Sequence, residues 1–183
     1  MKLTSLNPKL GWRPSKEFSL LGVDNKSWSL SDVKGENGSV VMFICNHCPY
    51  VKAVADRLNH TAIILGSMGV GCIAINSNDA LSYPDDDFEN MKQFSENYKF
   101  KFPYVIDDTQ VVARHWEAVC TPEFFGLCKE NKLLYRGRLD SAERGLVDSS
   151  TSQDLIIAME YMIATGKALP KQYPSVGCSI KWK

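Results

Sequence analysis

A run of strand-forming residues, Ser39 to Ile44, leads straight into Cys45-Asn46-His47-Cys48, and a helical stretch opens at Pro49. This junction constrains the fold more than any other part of the chain. Val40-Val41-Met42-Phe43-Ile44 is a short, continuous apolar run, the pattern of a strand buried on both faces. Beyond the motif, Val51, Val54, Ala55, Leu58, Ala62 and Leu65 fall at helical spacing, and Gly66 and Gly69 end the pattern. A thiol at a helix N-terminus faces unpaired backbone N–H groups and the positive end of the helix dipole, which stabilise its thiolate. A second thiol three residues on lies one turn away, within reach of a short, reversible disulfide. The junction therefore predicts thiol redox chemistry.

The rest of the chain supplies the elements such a junction needs. Phe18 to Leu21 and Ser27 to Leu30 flank the polar turn Gly22-Val23-Asp24-Asn25, a hairpin signal. Val70 to Ile75 predicts a second buried strand. Asp85-Asp86-Asp87 places negative charge at the start of a helix, with Phe88, Met91 and Phe94 on one face. Phe102 to Ile106 predicts a strand and Val111 to Trp116 a short helix. Phe124 to Leu127 and Leu133 to Arg136 flank a second hairpin turn. A last helix is expected near Thr151, with Thr151 and Asp154 spaced as a capping box and Leu155, Met159, Met162 and Ile163 facing inward. The alternation of strands and helices predicts an α/β fold around a central mixed sheet. With 183 residues, no repeat and no linker, one domain over 1–183 is expected.

Composition narrows the function. Lysine plus arginine equals aspartate plus glutamate at 21 each, which argues against nucleic-acid or anionic-membrane binding. No stretch approaches the roughly 18 apolar residues of a membrane span. Met1 to Pro14 lacks an apolar core, so it does not read as a signal peptide and the cytoplasm is the expected compartment. Six cysteines are too sparse for a disulfide scaffold; in a reducing compartment they serve catalysis, bind metal or lie buried.

The strand–CxxC–helix unit, Thr121-Pro122 before a strand, and the closing hairpin and helix resemble the thioredoxin superfamily. Ile44 to Val51, Cys120-Thr121-Pro122 and Gly177-Cys178-Ser179-Ile180-Lys181-Trp182 resemble peroxiredoxin-like proteins (the alkyl hydroperoxide reductase / thiol-specific antioxidant group) that carry CxxC. The resemblance implies a thioredoxin-like fold with an N-terminal hairpin of peroxiredoxin type and an antioxidant or disulfide-exchange role. It implies a cis proline at Pro122, beside the CxxC, which leaves the Thr121 backbone open to pair with substrate. By likeness to thioredoxins, Cys45 attacks and Cys48 is its buried partner; by likeness to peroxiredoxins, Cys48 is peroxidatic and Cys45 resolves.

The remaining candidates carry two readings each. Protonated His47 would stabilise the thiolate and make the disulfide a stronger oxidant; the alternative is an inert loop histidine. Glu123 is a local acid or base, or a solvated loop carboxylate. Cys120 precedes the proline, and Cys178 sits in a polar tail expected to be mobile, where peroxiredoxins often keep a resolving thiol; both are accessory candidates. Cys72 and Cys128 are expected to be buried and inert. Arg136 is placed by the resemblance where peroxiredoxins stabilise the thiolate and polarise peroxide; the alternative is a surface strand charge. No metal or organic cofactor is implied, since thiol exchange needs only a thiolate, a leaving thiol and access. The expected partners are a thioredoxin system or small-thiol reductant and a disulfide-bearing protein or hydroperoxide; the oligomeric state is left open. The competing reading is a non-catalytic module that binds metal through the same thiols.

Overall fold

Alternation along the strand before the motif sets up both layers of the core. In the computed structural model, which describes residues 1–15 and 17–183, Val40 and Met42 face one side of the sheet and Val41 and Phe43 the other. Each such side chain contributes about 1.5–3 kcal/mol on burial, which is why this strand lies at the centre. In chain order the elements are β1 (Lys2–Thr4), β2 (Leu20–Gly22), β3 (Ser27–Trp28), α1 (Leu30–Val33), β4 (Gly38–Phe43), α2 (Pro49–Lys52), α3 (Ala55–Ser67) and β5 (Val70–Asn76). There follow α4 (Phe88–Tyr98), β6 (Tyr104–Ile106), α5 (Val111–His115), β7 (Cys120–Thr121), β8 (Glu123–Cys128), β9 (Leu133–Gly137), α6 (Asp154–Thr165) and β10 (Val176–Ser179).

The main sheet runs β3-β2-β6-β5-β4-β8-β9. β4 pairs parallel with β5, and β5 with β6, while the hairpins at both edges are antiparallel. Helices α3, α4 and α6 contribute Leu58, Phe94 and Met159 to one core layer, and α5 contributes Val112 to the other. No helix among the described residues is long and apolar enough to cross a membrane. The mixed sheet, its flanking helices and both hairpins follow the pattern predicted from the sequence.

Four local expectations are corrected. The helix after the motif is broken into α2 and α3 at Ala53 and Val54, where Val54 N–H turns back to the Val51 carbonyl at 3.0 Å. Thr151 does not cap α6: its hydroxyl contacts Asp148, and Gln153 holds the N-cap position without a side-chain bond. Ile163 is 37% exposed rather than inward, since α6 ends against solvent past Met162. The C-terminal tail is not loose, because β10 lies between β1 and β7 in a second, three-stranded antiparallel sheet.

Candidate active site

The two motif cysteines meet at one residue from another element. Thr121 Oγ1 lies 3.2 Å from Cys45 Sγ, and the Thr121 carbonyl oxygen lies 3.2 Å from Cys48 Sγ. β4 delivers the cysteines and β7 delivers Thr121; Thr121-Pro122 is a cis peptide bond. Both sulfurs are at 0% exposure.

Cys48 occupies the N-cap position of α2, with Pro49 as the first helical residue. Proline has no N–H to lose there. The Cys48 sulfur is surrounded by donors: the Cys45 thiol foremost, then the Cys178 thiol and the backbone N–H groups of Val51 and Cys178. Against the opposing effect of burial, these pull its pKa down to about 4. As a neutral thiol Cys48 donates to the Thr121 carbonyl, so one acceptor favours the proton and four donors favour its loss. Hydrogen bonds to an ion are roughly twice as strong as neutral ones, and the thiolate wins. Cys45 shifts the other way: burial first, then its donation to Cys48 and the nearby charge of Asp86, hold its thiol protonated. Within the pair, Cys48 is the thiolate and Cys45 the thiol.

The loop between the sulfurs is held by the Asp86 carboxylate. Three consecutive aspartates were expected to serve the α4 dipole together; the structure separates them. Asp87 caps α4 by accepting from Asn90 N–H at 2.8 Å, Asp85 is exposed, and Asp86 turns fully inward. Asp86 Oδ1 accepts from the N–H groups of Asn46 (2.8 Å) and His47 (3.2 Å), and Oδ2 accepts from the Asn78 amide (2.7 Å). His47 Nδ1 closes the cluster against Asp86 Oδ2. The His47 ring stacks on Tyr83 at 5.6 Å and 12°. Both the backbone and the ring of His47 are therefore fixed. A Pro84–Asp86 turn of 3-10 helix delivers Asp86, and Pro84 in the sequence was the available signal for it. Asn46 contributes too, its amide oxygen accepting from the buried Tyr104 hydroxyl at 2.9 Å.

Glu123 and Arg136 form a second charged pair, away from the sulfurs. Arg136 Nε lies 2.7 Å from Glu123 Oε1, its Nη2 donates to the Glu117 carbonyl, and Glu123 Oε2 accepts from Val119 N–H at 2.9 Å. Both side chains are buried, which overturns the readings of Glu123 as a solvated loop carboxylate and Arg136 as a surface charge. Arg136 also lies over the Phe125 ring, and none of these contacts is to a sulfur. Burial pushes the Glu123 carboxyl up and the Arg136 charge opposes it. Cys120 is buried beside this pair, its thiol pushed up by burial and then by Glu123. Cys72 and Cys128 are buried, as expected.

Cys178 differs from the other five cysteines in being only half-buried. β10 places it directly opposite Thr121. The expectation that the Thr121 backbone is open for a substrate strand is therefore corrected: the chain's own C-terminal strand holds that edge. Gly177 makes the approach possible, because a Cβ there would overlap the Thr121 carbonyl.

Residues 13–137 match the model of the AhpC/TSA family. An uncharacterized conserved protein from Geobacillus kaustophilus is 40% identical with a TM-score of 0.92, the match covering 100% of this chain and 97% of that one. A hypothetical protein from Sinorhizobium meliloti 1021 is 34% identical with a TM-score of 0.90, covering 98% of each. The peroxidoxin BcpB from Mycobacterium tuberculosis shares the fold, with a TM-score of 0.61 at 16% identity over 87% of this chain and 96% of that one. No curated protein matches the chain. The fold is thioredoxin-like, and the family and fold together support a thiol-redox role. With more than half its length matched by the family model and a relative at 40% identity along all of it, the chain belongs to the AhpC/TSA family.

Proposed function

We propose that this protein is a thiol oxidoreductase with an antioxidant role, cycling Cys45 and Cys48 between dithiol and disulfide to reduce hydroperoxides or disulfides. The observation that carries the reading is the set of donors around Cys48 at the N-cap of α2, beside a protonated Cys45. Cys48 thiolate attacks the terminal electrophile: a peroxide oxygen, giving Cys48 sulfenic acid and an alcohol or water, or a disulfide sulfur, giving a mixed disulfide and a released thiolate. Cys45 then attacks the Cys48 sulfur. The Cys45–Cys48 bond forms as hydroxide leaves as water, or as the substrate's remaining thiolate leaves. The closed site favours the smaller oxidant, since neither sulfur is exposed. A small thiol or a thioredoxin system regenerates the dithiol, and the cytoplasm, where thiols are kept reduced, is the proposed compartment.

Peroxide consumption set beside disulfide reduction, in the wild type, Cys45→Ser and Cys48→Ser, tests this. Cys48→Ser is expected to lose both activities, and Cys45→Ser to retain, in the absence of added thiol, a single-turnover reaction with peroxide. Full multi-turnover activity in Cys48→Ser would remove Cys48 from the mechanism.

One observation favours a second reading, metal binding: ligand atoms of Cys45, His47 and Asp86 lie within 4.8 Å of one another. Both Asp86 oxygens already accept protein hydrogen bonds, so a cation would have to displace the His47 contact. Stoichiometric metal in protein purified without oxidation, with no reducible disulfide, would favour this reading over the redox one.

A further inference from the structure

The second sheet brings a third sulfur to the pair. β10 pairs antiparallel with β7, so that Cys178 stands opposite Thr121, the residue whose carbonyl lies 3.2 Å from Cys48 Sγ. Cys48 and Cys178 thus converge on one backbone unit from two directions, and β10 packs against α2, whose N-cap is Cys48. The arrangement is built rather than incidental. Gly177 removes the side chain that would collide with Thr121. β1 clamps the outer edge of β10, with Lys2 opposite Cys178 and Ser179 N–H donating to the Met1 carbonyl at 2.9 Å. Beyond β10, Ile180 N–H bonds the Val119 carbonyl, and Lys181 is held through its backbone by Asn78, Asp79 and Gln110. The exposure gradient points outward: Cys45 and Cys48 are sealed, while Cys178 meets solvent.

We propose that Cys178 is a third redox thiol, which exchanges with the Cys45–Cys48 disulfide and hands it to a small thiol reductant at the surface. The idea rests on the Cys45–Cys48 cycle proposed above. Cys178, whose thiol is pushed up to about 11 by burial and then by its hydrogen bond to Cys48, gives up its proton as it attacks the Cys48 sulfur of that disulfide. The Cys48–Cys178 bond forms, the Cys45–Cys48 bond breaks, and Cys45 takes up the proton that Cys178 lost; there is no net oxidation or reduction. A small thiol then attacks the accessible Cys178 sulfur, releasing Cys48 as a thiolate. A second thiol attacks the mixed disulfide on Cys178, leaving Cys178 reduced and the two small thiols joined as a disulfide. Cys48 is a good leaving group for the first attack, because its thiolate is the stabilised one. β10 thus occupies, within the chain, the strand position that an extended disulfide-bearing peptide would need.

Peptide mapping of the full-length protein under oxidised glutathione, with free thiols blocked in acid, tests the relay. In Cys45→Ser a Cys48–Cys178 disulfide is expected; Cys48 accumulating instead as a glutathione adduct, with Cys178 free, overturns the proposal. In the unmodified chain held in glutathione buffers, both Cys45–Cys48 and Cys48–Cys178 bonds are expected, and absence of the second overturns it without relying on any variant. Re-reduction of oxidised Cys178→Ser by glutathione is expected to be slower than wild type by roughly tenfold; equal rates overturn it. The outcome for the underlying cycle is read separately. A wild type that forms no Cys45–Cys48 disulfide contradicts that cycle, whereas the Cys48–Cys178 bond in Cys45→Ser reports on Cys178 alone.

Discussion

Two buried carboxylates, Asp86 behind the motif loop and Glu123 after Pro122, serve different ends. Asp86 holds the loop that carries the cysteines, through the N–H groups of Asn46 and His47, and its ring partner His47 is 21% exposed at the side chain. Glu123, first residue of the strand after Pro122, holds the Val119 N–H before it, and its partner Arg136 is sealed at 2%. Each carboxylate raises a neighbouring thiol, Asp86 acting on Cys45 and Glu123 on Cys120. Arg136 opposes the second effect at Cys120, whereas the Asp86 charge is felt by a cysteine of the motif pair. Buried charge close to the cysteines thus falls into two kinds. What matters is whether the charge touches the moving sulfur or only the scaffold.

Breaking the two clusters separately exposes that difference. Glu123→Ala leaves the Arg136 guanidinium buried without its counter-ion, and a loss of about 3–5 kcal/mol in denaturant stability is expected. The folded fraction should still hold Cys48 as a thiolate at neutral pH; loss of that thiolate would move Glu123 into the reactive machinery. Asp86→Ala strands the Asn46 N–H and the Asn78 amide, with an expected cost of about 1–3 kcal/mol. Here the thiol chemistry should change as well, with Cys45 ionising at lower pH because the charge that opposes its thiolate is gone. An unchanged Cys45 titration would reduce Asp86 to the same scaffold role as Glu123. Tyr83→Ala removes only the ring stacked on His47, at a cost of about 0.5–1.5 kcal/mol, and should leave both titrations in place.

Much of the scaffold was legible in local pattern. The apolar run of β4, the helical spacing after Pro49 and the two hairpin turns each report a periodicity that the packed structure keeps. The cysteine pair at a helix tip was legible for the same reason, because three residues of spacing fix its geometry. What escaped depends on contacts far apart in the chain. Asp86 looks like its two neighbours until the turn at Pro84 points it at residues 40 positions earlier. Cys178 looks like part of a polar tail, since a four-residue strand has too little pattern to declare itself; its partners, Lys2 and Thr121, lie far upstream in the chain. The break between α2 and α3 escaped because Val54 and Ala55 fit the helical spacing whether or not the helix is continuous. Thr151 and Asp154 have capping-box spacing, yet Asp148 holds the Thr151 hydroxyl and Arg138 takes Asp154.

The ionisation of Cys48 also reaches stability. Its pKa is depressed in the folded state, so the native protein binds fewer protons than the unfolded chain between about pH 4 and the ordinary thiol range near 8.5. The stability it contributes is complete above that range and is lost as pH falls towards 4. Reduced wild type should therefore lose its advantage over Cys48→Ser progressively from pH 8 to pH 5 in denaturant titrations.

The most direct measurement is the ultraviolet absorbance of the thiolate in the reduced protein as pH is lowered, in the wild type and in Cys48→Ser. One thiolate is expected at neutral pH, protonated only near pH 4, and it is expected to disappear in Cys48→Ser. A thiolate that titrates in the ordinary range near 8.5, or one that survives the loss of Cys48, would contradict that expectation.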